Sequence, residues 1–579
     1  MILVFGGTTE GRIAVDVCEQ AGKPFYYSTK SGSQEVMLHN GQRLIGGMTA
    51  ENIKNFCEAH DIKCIVDAAH PFAEALHENI ANSGVTVIRL RRKFSEHRND
   101  VTYLRDWREA VKEIRCKKLL ALSGVNTISK LKDYWEKHDT MFRILPRKES
   151  MDIVSENGFP EDKLLYYPVS KVSGVPKASE VTMPSLEDEK AMMKECGCDA
   201  ILTKESGGSG GYEVKVQAAL GLGLKVYVVE CPALPKNWIF VDGQHSLRRA
   251  IQSVVPEFFP LKIGLTTGAC ATAATKAALI SLLTDEFPEE VMFSLPDGEV
   301  LTIPILEVSK VSEGSKVSGL ATVVKEQNDD YDVTKGCRIT AKVRLRDDER
   351  IVFLQGSGVG RVTLPGLGIP VGEPAINPTP RKMISDEIRS LTSSGVDIEI
   401  SVEDGEALWH KTFNHKVGVI GGISIIGTSG IVSPLSNEAF VESIGRELRV
   451  ARAIGCTAIG FASGKKGENA LKAMEPDLRV VHYGNFIGEA LKKARKEGFQ
   501  RVVLGIMIGK AVKLADGHFD THSHKVAADL SRWGVKMARE LWGVMPPSFF
   551  KEIEQKCTEH CRKVFPDGEL EVHLIKDEK

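Results

Sequence analysis

The residues with chemical potential in this chain sit at the ends of short apolar runs. Gly6-Gly7-Thr8-Thr9-Glu10-Gly11-Arg12 follows the run Ile2–Phe5 and opens a helical stretch. Glycines let backbone amides approach an anion, and a helix N-terminus adds partial positive charge. Gly6, Gly7, Thr8, Thr9 and Gly11 are therefore candidates for a dinucleotide's phosphates. The spacing is not G-x-G-x-x-G, and a tight turn capped by Thr8 or Thr9 explains the same residues. The next run ends in Ser28-Thr29-Lys30, without the acid that would hold a ribose hydroxyl. Lys30 can instead meet a 2′-phosphate, which favours NADPH over NADH. His70, before Pro71, is either a general acid or a helix-entry residue. Tyr167 and Lys171 have the spacing Tyr-x-x-x-Lys, but Pro168 interrupts a helix there, and a loop tyrosine with a solvated lysine fits better.

The later part of the chain is denser in motifs. Thr266-Thr267-Gly268-Ala269-Cys270 precedes an Ala-rich helical stretch, where a Thr cap and small residues permit close approach of a ligand or a neighbouring element. Cys270 is a nucleophile candidate without an adjoining base, and a buried thiol is the simpler reading. Gly356–Gly360, Pro365-Gly366-Leu367 and Val371–Pro378 mark a long turn-rich loop. Arg381 and Lys382 follow it and suit either substrate carboxylates or solvent. Gly421-Gly422-Ile423-Ser424 and Gly427-Thr428-Ser429-Gly430 extend the run from Val417, leaving amides and the Ser424, Thr428 and Ser429 hydroxyls for a carboxylate or ribose. His518, His522 and His524 cluster near Asp520 but match no zinc spacing, so a structural or substrate contact is preferred and no metal site is expected. Cys557, His560 and Cys561 share one helical face, which reads as packing.

The elements that must position these residues alternate. Ile2–Phe5, Phe25–Ser28, Cys64–Val66 and Val85–Leu90 are expected strands of one α/β unit. Lys118–Leu122, Phe142–Leu145, Ala200–Thr203 and Lys225–Val229 are expected in a second. Ligands of open α/β sheets lie beyond the carboxyl ends of the strands. Those ends here carry Lys30, His70, Ser123-Gly124, and the Gly-rich segment Lys204-Glu205-Ser206-Gly207-Gly208-Ser209-Gly210-Gly211. Two prolines in Val255–Pro260 mark a boundary. Gly268–Leu283 reads as a helix. Lys342–Arg346 and Ile351–Leu354 read as a half-buried strand and a more buried neighbour in an antiparallel sheet. Val417–Ile420, Ala458–Phe461, Val480–Tyr483 and Val502–Leu504 restore the α/β rhythm. The fold class is α/β, divided as 1–112, 113–255, an α+β domain at 262–410 and a further α/β domain at 411–579.

Composition narrows the function. With 75 Lys+Arg against 77 Asp+Glu, the net charge of −2 argues against a nucleic-acid binder. The 12 cysteines are scattered as in reduced cytosolic proteins. The longest uncharged stretch, Val417–Asn437, is broken by glycines and a proline, so no membrane span and a cytoplasmic location are expected.

Phe5–Arg12, Asp67–Ala73 and Thr203–Gly208 together resemble precorrin-6A reductases of the cobalamin pathway, over about residues 1–250. The resemblance implies two Rossmann-like units, with a tetrapyrrole and a nicotinamide cofactor between them, and hydride transfer to one ring double bond. His70, Lys204 and Ser206 become substrate-binding candidates. Ser123–Thr127 departs from the Thr-Gly-Arg-like loop expected there. Thr266–Cys270, Asp329–Thr334, Pro365–Leu367, Gly372–Pro378, Gly421–Gly430 and Thr521-His522-Ser523 resemble cobalt-precorrin-5B C1-methyltransferases, over about residues 262–530. That resemblance implies S-adenosylmethionine as methyl donor. The loop with Gly421, Gly422, Ser424, Thr428 and Ser429 is expected to bind it or to hold the macrocycle over it, the other reading being a buried strand and tight turn whose glycines serve packing alone; Thr266, Thr267, Arg381 and His522 are substrate-binding candidates. Ser463–Gly467 replaces a Pro-Gly-Asn-like loop, and Met507 stands where a histidine is expected.

The resulting expectation is a bifunctional enzyme acting on small cobalt-corrinoids, with neither nucleic acid nor membrane as partner. A nucleotide-sugar oxidoreductase fused to an unrelated domain and a non-catalytic tetrapyrrole carrier are the alternatives. Cofactor binding and corrinoid turnover separate the three.

Overall fold

Continuous apolar runs become buried parallel strands in the first of two units, Met1–Pro260 and Leu261–Lys579. The computed structural model describes residues 1–30, 32, 34–92, 94–167, 184–207, 211–314, 316–434, 436–522 and 529–576. In the first unit, one six-stranded sheet runs in the order Ile239–Val241, Thr86–Leu90, Cys64–Asp67, Ile2–Phe5, Phe25–Thr29, Gly41–Ile45. All its pairings are parallel, with Val4 opposite Val66 and Tyr27. The second six-stranded sheet runs Thr102–Leu104, Lys225–Val229, Ala200–Lys204, Lys118–Ala121, Asp139–Ile144, Leu164–Tyr166, again all parallel.

The chain does not divide at residue 112. Thr102–Leu104 already belongs to the second sheet, and Ile239–Val241 returns to the first. The helix Gln244–Val254 follows that return and packs Leu247 and Ile251 against Ile2, Val4, Val17 and Val66. Burying such a side chain stabilises by about 1.5–3 kcal/mol, enough to fix the returning segment. The other face of the same sheet is closed by Ile53, Cys57 and Ile80.

The second unit begins with the helix Thr267–Thr284, capped by Thr266, whose hydroxyl accepts from the Ala269 amide at 3.2 Å. Its alanines at 269, 271, 273, 274, 277 and 278 are fully buried, which lets a five-stranded sheet approach closely. That sheet is mixed, in the order Glu307–Glu313, Lys316–Val324, Arg338–Arg346, Gly395–Val402, Ile351–Gln355. Gly395–Val402 inserts between the two runs expected to be neighbours, antiparallel to Arg338–Arg346 and parallel to Ile351–Gln355. As the edge strand, Ile351–Gln355 is only half-buried, contrary to its continuous apolar run.

Val419–Ile420 also differs from expectation. It pairs antiparallel with Arg361–Val362 in a two-stranded patch. Gly418 and Gly421, at φ +73° and +77°, turn the chain on both sides and leave no length for a longer strand. The restored α/β rhythm starts later. A four-stranded parallel sheet has the order Val480–His482, Ala458–Ala462, Arg501–Met507, Glu569–Ile575. The helix Pro547–Val564 covers it, with Cys557 and Cys561 buried in the core as packing residues. Among the described residues, no helix is long and apolar enough to cross a membrane.

Candidate functional site

In the first unit the expected phosphate loop has formed. Thr8 caps the helix Thr9–Glu19: its hydroxyl accepts from the Gly11 amide at 3.0 Å and donates to the Ala68 carbonyl at 2.6 Å. Gly7 has φ +95°, which suits glycine, and its amide donates to Tyr27 Oη at 3.1 Å and Gln34 Oε1 at 3.0 Å. Gln34 Nε2 donates to the Thr8 carbonyl at 2.6 Å. A Cβ at Gly6 would lie 2.3 Å from the Tyr27 ring, so glycine there makes room for the tyrosine. Gly6 is half-buried, Gly11 buried, and Thr9 exposed on the first turn; Lys30 is exposed at the end of Phe25–Thr29.

The carboxyl ends of both sheets in this unit bring further groups together. Glu10, from the first turn of Thr9–Glu19, pairs with Arg92 at 2.9 Å. Arg92 Nη1 in turn donates to the Ser206 carbonyl at 2.9 Å, tying the exit of one sheet to the exit of the other. His70 Nδ1 accepts from the Phe72 amide at 3.1 Å. Burial, followed by the charges of Lys204, Arg92 and Arg89, pushes its pKa down to about 3, so the ring is neutral. Lys204 ends the strand Ala200–Lys204, with its ammonium 5.5 Å from the Phe72 ring centroid. Burial, then Lys215, Arg92 and Lys130, lower its pKa to about 8. Beneath them Asp67, fully buried, holds Arg89 at 2.6 Å and accepts from the Ala69 amide at 3.1 Å. A cleft nearby is lined by Pro71, Arg92, Phe94, Cys231, Leu234 and Phe240. Its exposed walls are mainly apolar, and its Arg92 is the one already paired with Glu10.

The structure thus gathers Gly6–Gly11, His70, Lys204 and Ser206 at one end of the unit. Glu10, Arg92, Tyr27 and Gln34 were not singled out as site residues from sequence. Glu10 and Arg92 offered only ordinary charges, and their meeting depends on the return of distant strands. Tyr167 is a hydrogen-bond acceptor for Arg143 at 3.3 Å, while Lys171 and residues 208–210 lie outside the described residues.

In the second unit Thr266, Thr267 and the loop Gly421–Gly430 meet. Thr267 Oγ1 accepts from the Ile426 amide at 2.9 Å, the Gly268 amide donates to the Ile426 carbonyl at 2.9 Å, and the Thr266 amide donates to the Gly430 carbonyl at 3.0 Å. A Cβ on Gly268 would lie 2.6 Å from Pro380, so these small residues let the loop close on the helix start. The loop therefore leaves a two-stranded patch and not the carboxyl edge of a parallel sheet, contrary to expectation. Gly422 is buried, Ser424 bonds Asn414 at 3.2 Å, and Gly421, Thr428 and Ser429 are exposed. Arg381 is not a free cation. It pairs with Glu373 at 2.7 Å and donates to the Ile376 and Pro374 carbonyls at 2.7 and 3.2 Å, stapling the proline-rich loop. Cys270 is fully buried.

A second group lies at the carboxyl end of the four-stranded sheet. Lys510 donates to Asn485 Oδ1 at 2.6 Å and to the Gly484 carbonyl. Burial and Lys513 lower its pKa to about 8, against the pull of Asp520. Thr521 bonds the Asn485 carbonyl, and His522 follows it, its amide donating to Asp520 at 3.1 Å. His518 donates its amide to Lys513, and His524 lies outside the described residues. Glu468, on Lys465–Met474, is buried among Lys465, Lys472 and His482 at 2.9–3.2 Å. Burial alone would raise its pKa, but hydrogen bonds from Lys472 and Lys465 and the charge of Lys416 hold it at about 2.

The family described as "Precorrin-6x reductase CbiJ/CobK" matches residues 1–254, and the family described as CbiD matches residues 256–434. A cobalt-precorrin-5B C(1)-methyltransferase of Prosthecochloris aestuarii is 40% identical over 350 residues, covering 54% of this chain and 94% of its own. Another, of Agrobacterium fabrum, is 44% identical over 283 residues, covering 48% of this chain and 74% of its own. A solved structure described as CobK precorrin-6A reductase is similar at 19% identity, over 44% of this chain and 97% of its own, with a TM-score of 0.33. The chain belongs to the cobalt-precorrin-5B C(1)-methyltransferase family through its second half, joined to a first half of the precorrin-6x reductase family.

Proposed function

We propose that this chain is a bifunctional enzyme of corrin-ring construction in cobalamin biosynthesis. Its second half transfers methyl from S-adenosylmethionine to C1 of cobalt-precorrin-5B, giving cobalt-precorrin-6A. Its first half reduces that product to cobalt-precorrin-6B with a nicotinamide cofactor, preferably NADPH. The observation that carries this reading is the pairing of two family matches in one chain, residues 1–254 and 256–434, whose activities are consecutive.

The first unit's residues fit a dinucleotide. The Gly7 amide is satisfied by neutral oxygens of Tyr27 and Gln34, and a phosphate oxygen can take Gln34's place at the N-terminus of the helix Thr9–Glu19. Lys30 would meet the 2′-phosphate. Bound there, the cofactor supplies hydride. His70, Lys204, Ser206 and Arg92 are the proposed substrate-side residues; Arg92 is already paired with Glu10, which leaves Lys204 as the cation to meet a carboxylate of the macrocycle. For the methyl donor, the exposed Thr428 offers a hydroxyl beside the start of Thr267–Thr284; the Ser429 hydroxyl is engaged by the Ile431 backbone and would have to exchange that bond, with Gly421, Gly422 and Ser424 shaping the loop. The donor's chemistry is displacement at a sulfonium methyl, so what the protein contributes is orientation. Thr266 and Thr267 hold this loop, and Lys510 with Asn485, joined through Thr521 to the segment that carries His522, forms a second polar cluster.

Calorimetric titration tests the assignment. The whole chain should bind NADPH and S-adenosylmethionine independently, each at one site; binding of neither would leave only the carrier alternative.

A further inference from the structure

Adding hydride to a carbon–carbon double bond leaves a negative charge on the neighbouring carbon, which a proton must quench. The carboxyl ends of the two sheets in the first unit hold several titratable groups, and most are already committed. Glu10 is paired with Arg92 at 2.9 Å, Glu74 with Lys130 at 2.7 Å, Glu205 with His97 at 3.1 Å, and Asp67 with Arg89 at 2.6 Å. Each of these carboxylates is already engaged by its partner. The Tyr212 hydroxyl is bonded to Tyr103 at 3.2 Å, and burial pushes its pKa above the usual phenol range. His70 is neutral, with Nδ1 turned to the Phe72 amide.

Lys204 differs from all of these. It ends the strand Ala200–Lys204, its ammonium rests 5.5 Å from the Phe72 centroid, and among the described residues it makes no ion pair with a carboxylate. The groups facing it are His70 and Phe72 from the turn after Cys64–Asp67, Arg92 after Thr86–Leu90, Lys215 from Tyr212–Gly221, and Lys130. They are cationic or neutral. An ammonium so placed is charged at neutral pH yet releases its proton more readily than a surface lysine.

We propose that Lys204 is the proton donor of the reductase half. The dihydronicotinamide gives a hydride to one carbon of the ring double bond. The π electron pair forms a new C–H bond at the other carbon with a proton from the Lys204 ammonium. The nicotinamide leaves oxidised, the macrocycle has gained two hydrogens, and the resulting amine regains its proton from water. This rests on the reductase reading above.

The test uses the full chain, cobalt-precorrin-6A and NADPH, with kcat and KM followed against pH for the wild type, Lys204→Met and Lys204→Arg. Thermal melting and NADPH affinity check that each variant is folded. Methionine keeps the length and places an apolar tip against Phe72, so the fold should hold. The wild-type kcat should fall as pH rises through about 8, where the donor loses its proton. Lys204→Met should lose that limb and at least about 100-fold in kcat, with NADPH affinity within about twofold of wild type. Lys204→Arg should not rescue, because a guanidinium is too weak an acid. If Lys204 only binds a carboxylate, KM rises, kcat holds and arginine rescues; that result overturns the proposal, as does a normal kcat in Lys204→Met. A wild type that does not reduce the corrinoid at all overturns the reductase reading and the proposal with it.

Discussion

Glu468 shows how a buried charge is held in place by its partners. Its carboxylate is nearly inaccessible and touches Lys465, Lys472 and His482. Its pKa falls from the ordinary 4.5 to about 2, so its stabilising contribution is complete above the ordinary value and is lost as pH falls through about 2. Glu468→Gln should cost about 2–3 kcal/mol at neutral pH, and the deficit should shrink as the pH is lowered. Urea melts of the two proteins at pH 7 and at acid pH measure this; an equal deficit at both would contradict it. Lys30 tests cofactor choice at the same scale. It is exposed where an acid would favour NADH. Lys30→Asp should lower the NADPH-to-NADH ratio of kcat/KM at least about tenfold, or about 1.4 kcal/mol, and an unchanged ratio would remove Lys30 from the site. The positions of His70 and Lys204 at the carboxyl ends of strands were legible, because unusual residues after apolar runs stand out; their roles are proposals. Arg381 misled: a basic pair after a proline-rich loop looks the same whether it meets a ligand or, as here, the loop's own carbonyls. Tyr27 and Gln34 gave no signal, since their role at Gly7 depends on where the segment after Phe25–Thr29 folds back.

At the scale of elements, runs buried on both faces were readable. Ile2–Phe5, Ala200–Lys204 and Lys225–Val229 stand where continuous apolarity places them. Short edge strands were not: Gly41–Ile45, Thr102–Leu104 and Ile239–Val241 hold mixed residues, and only the sheet beside them makes them strands. The Gly421–Gly430 loop had the composition of a strand exit but closes on the start of Thr267–Thr284 through Thr267 and Ile426. Its buried half serves that closure, and its exposed half presents Thr428 and Ser429. Thr428→Val nearly keeps volume and removes the hydroxyl, so methyl transfer should fall at least about tenfold while reduction of supplied cobalt-precorrin-6A stays normal. Unchanged methyl transfer in the Ser424, Thr428 and Ser429 variants would return the loop to a structural role. The methyl donor would then belong at the carboxyl end of the four-stranded sheet, beside Asn485 and Lys510.

At the scale of the whole molecule, the boundary at Val255–Pro260 was legible because two prolines interrupt the helical pattern there, and the units part at Pro260. The crossed strands within the first unit were not, because periodicity reports an element's type and carries no information about which sheet will accept it. The two proposed activities are consecutive, so the product of the methyl transfer is the substrate of the reduction. The direct measurement is incubation of the intact protein with cobalt-precorrin-5B, S-adenosylmethionine and NADPH, followed by mass spectrometry of the corrinoid. The expected product is heavier by one methylene and two hydrogens, with a methylated but unreduced product when NADPH is omitted and unchanged starting material when the methyl donor is omitted. Starting material unchanged with both cofactors present, or a methylated product that NADPH never reduces, would contradict the bifunctional reading.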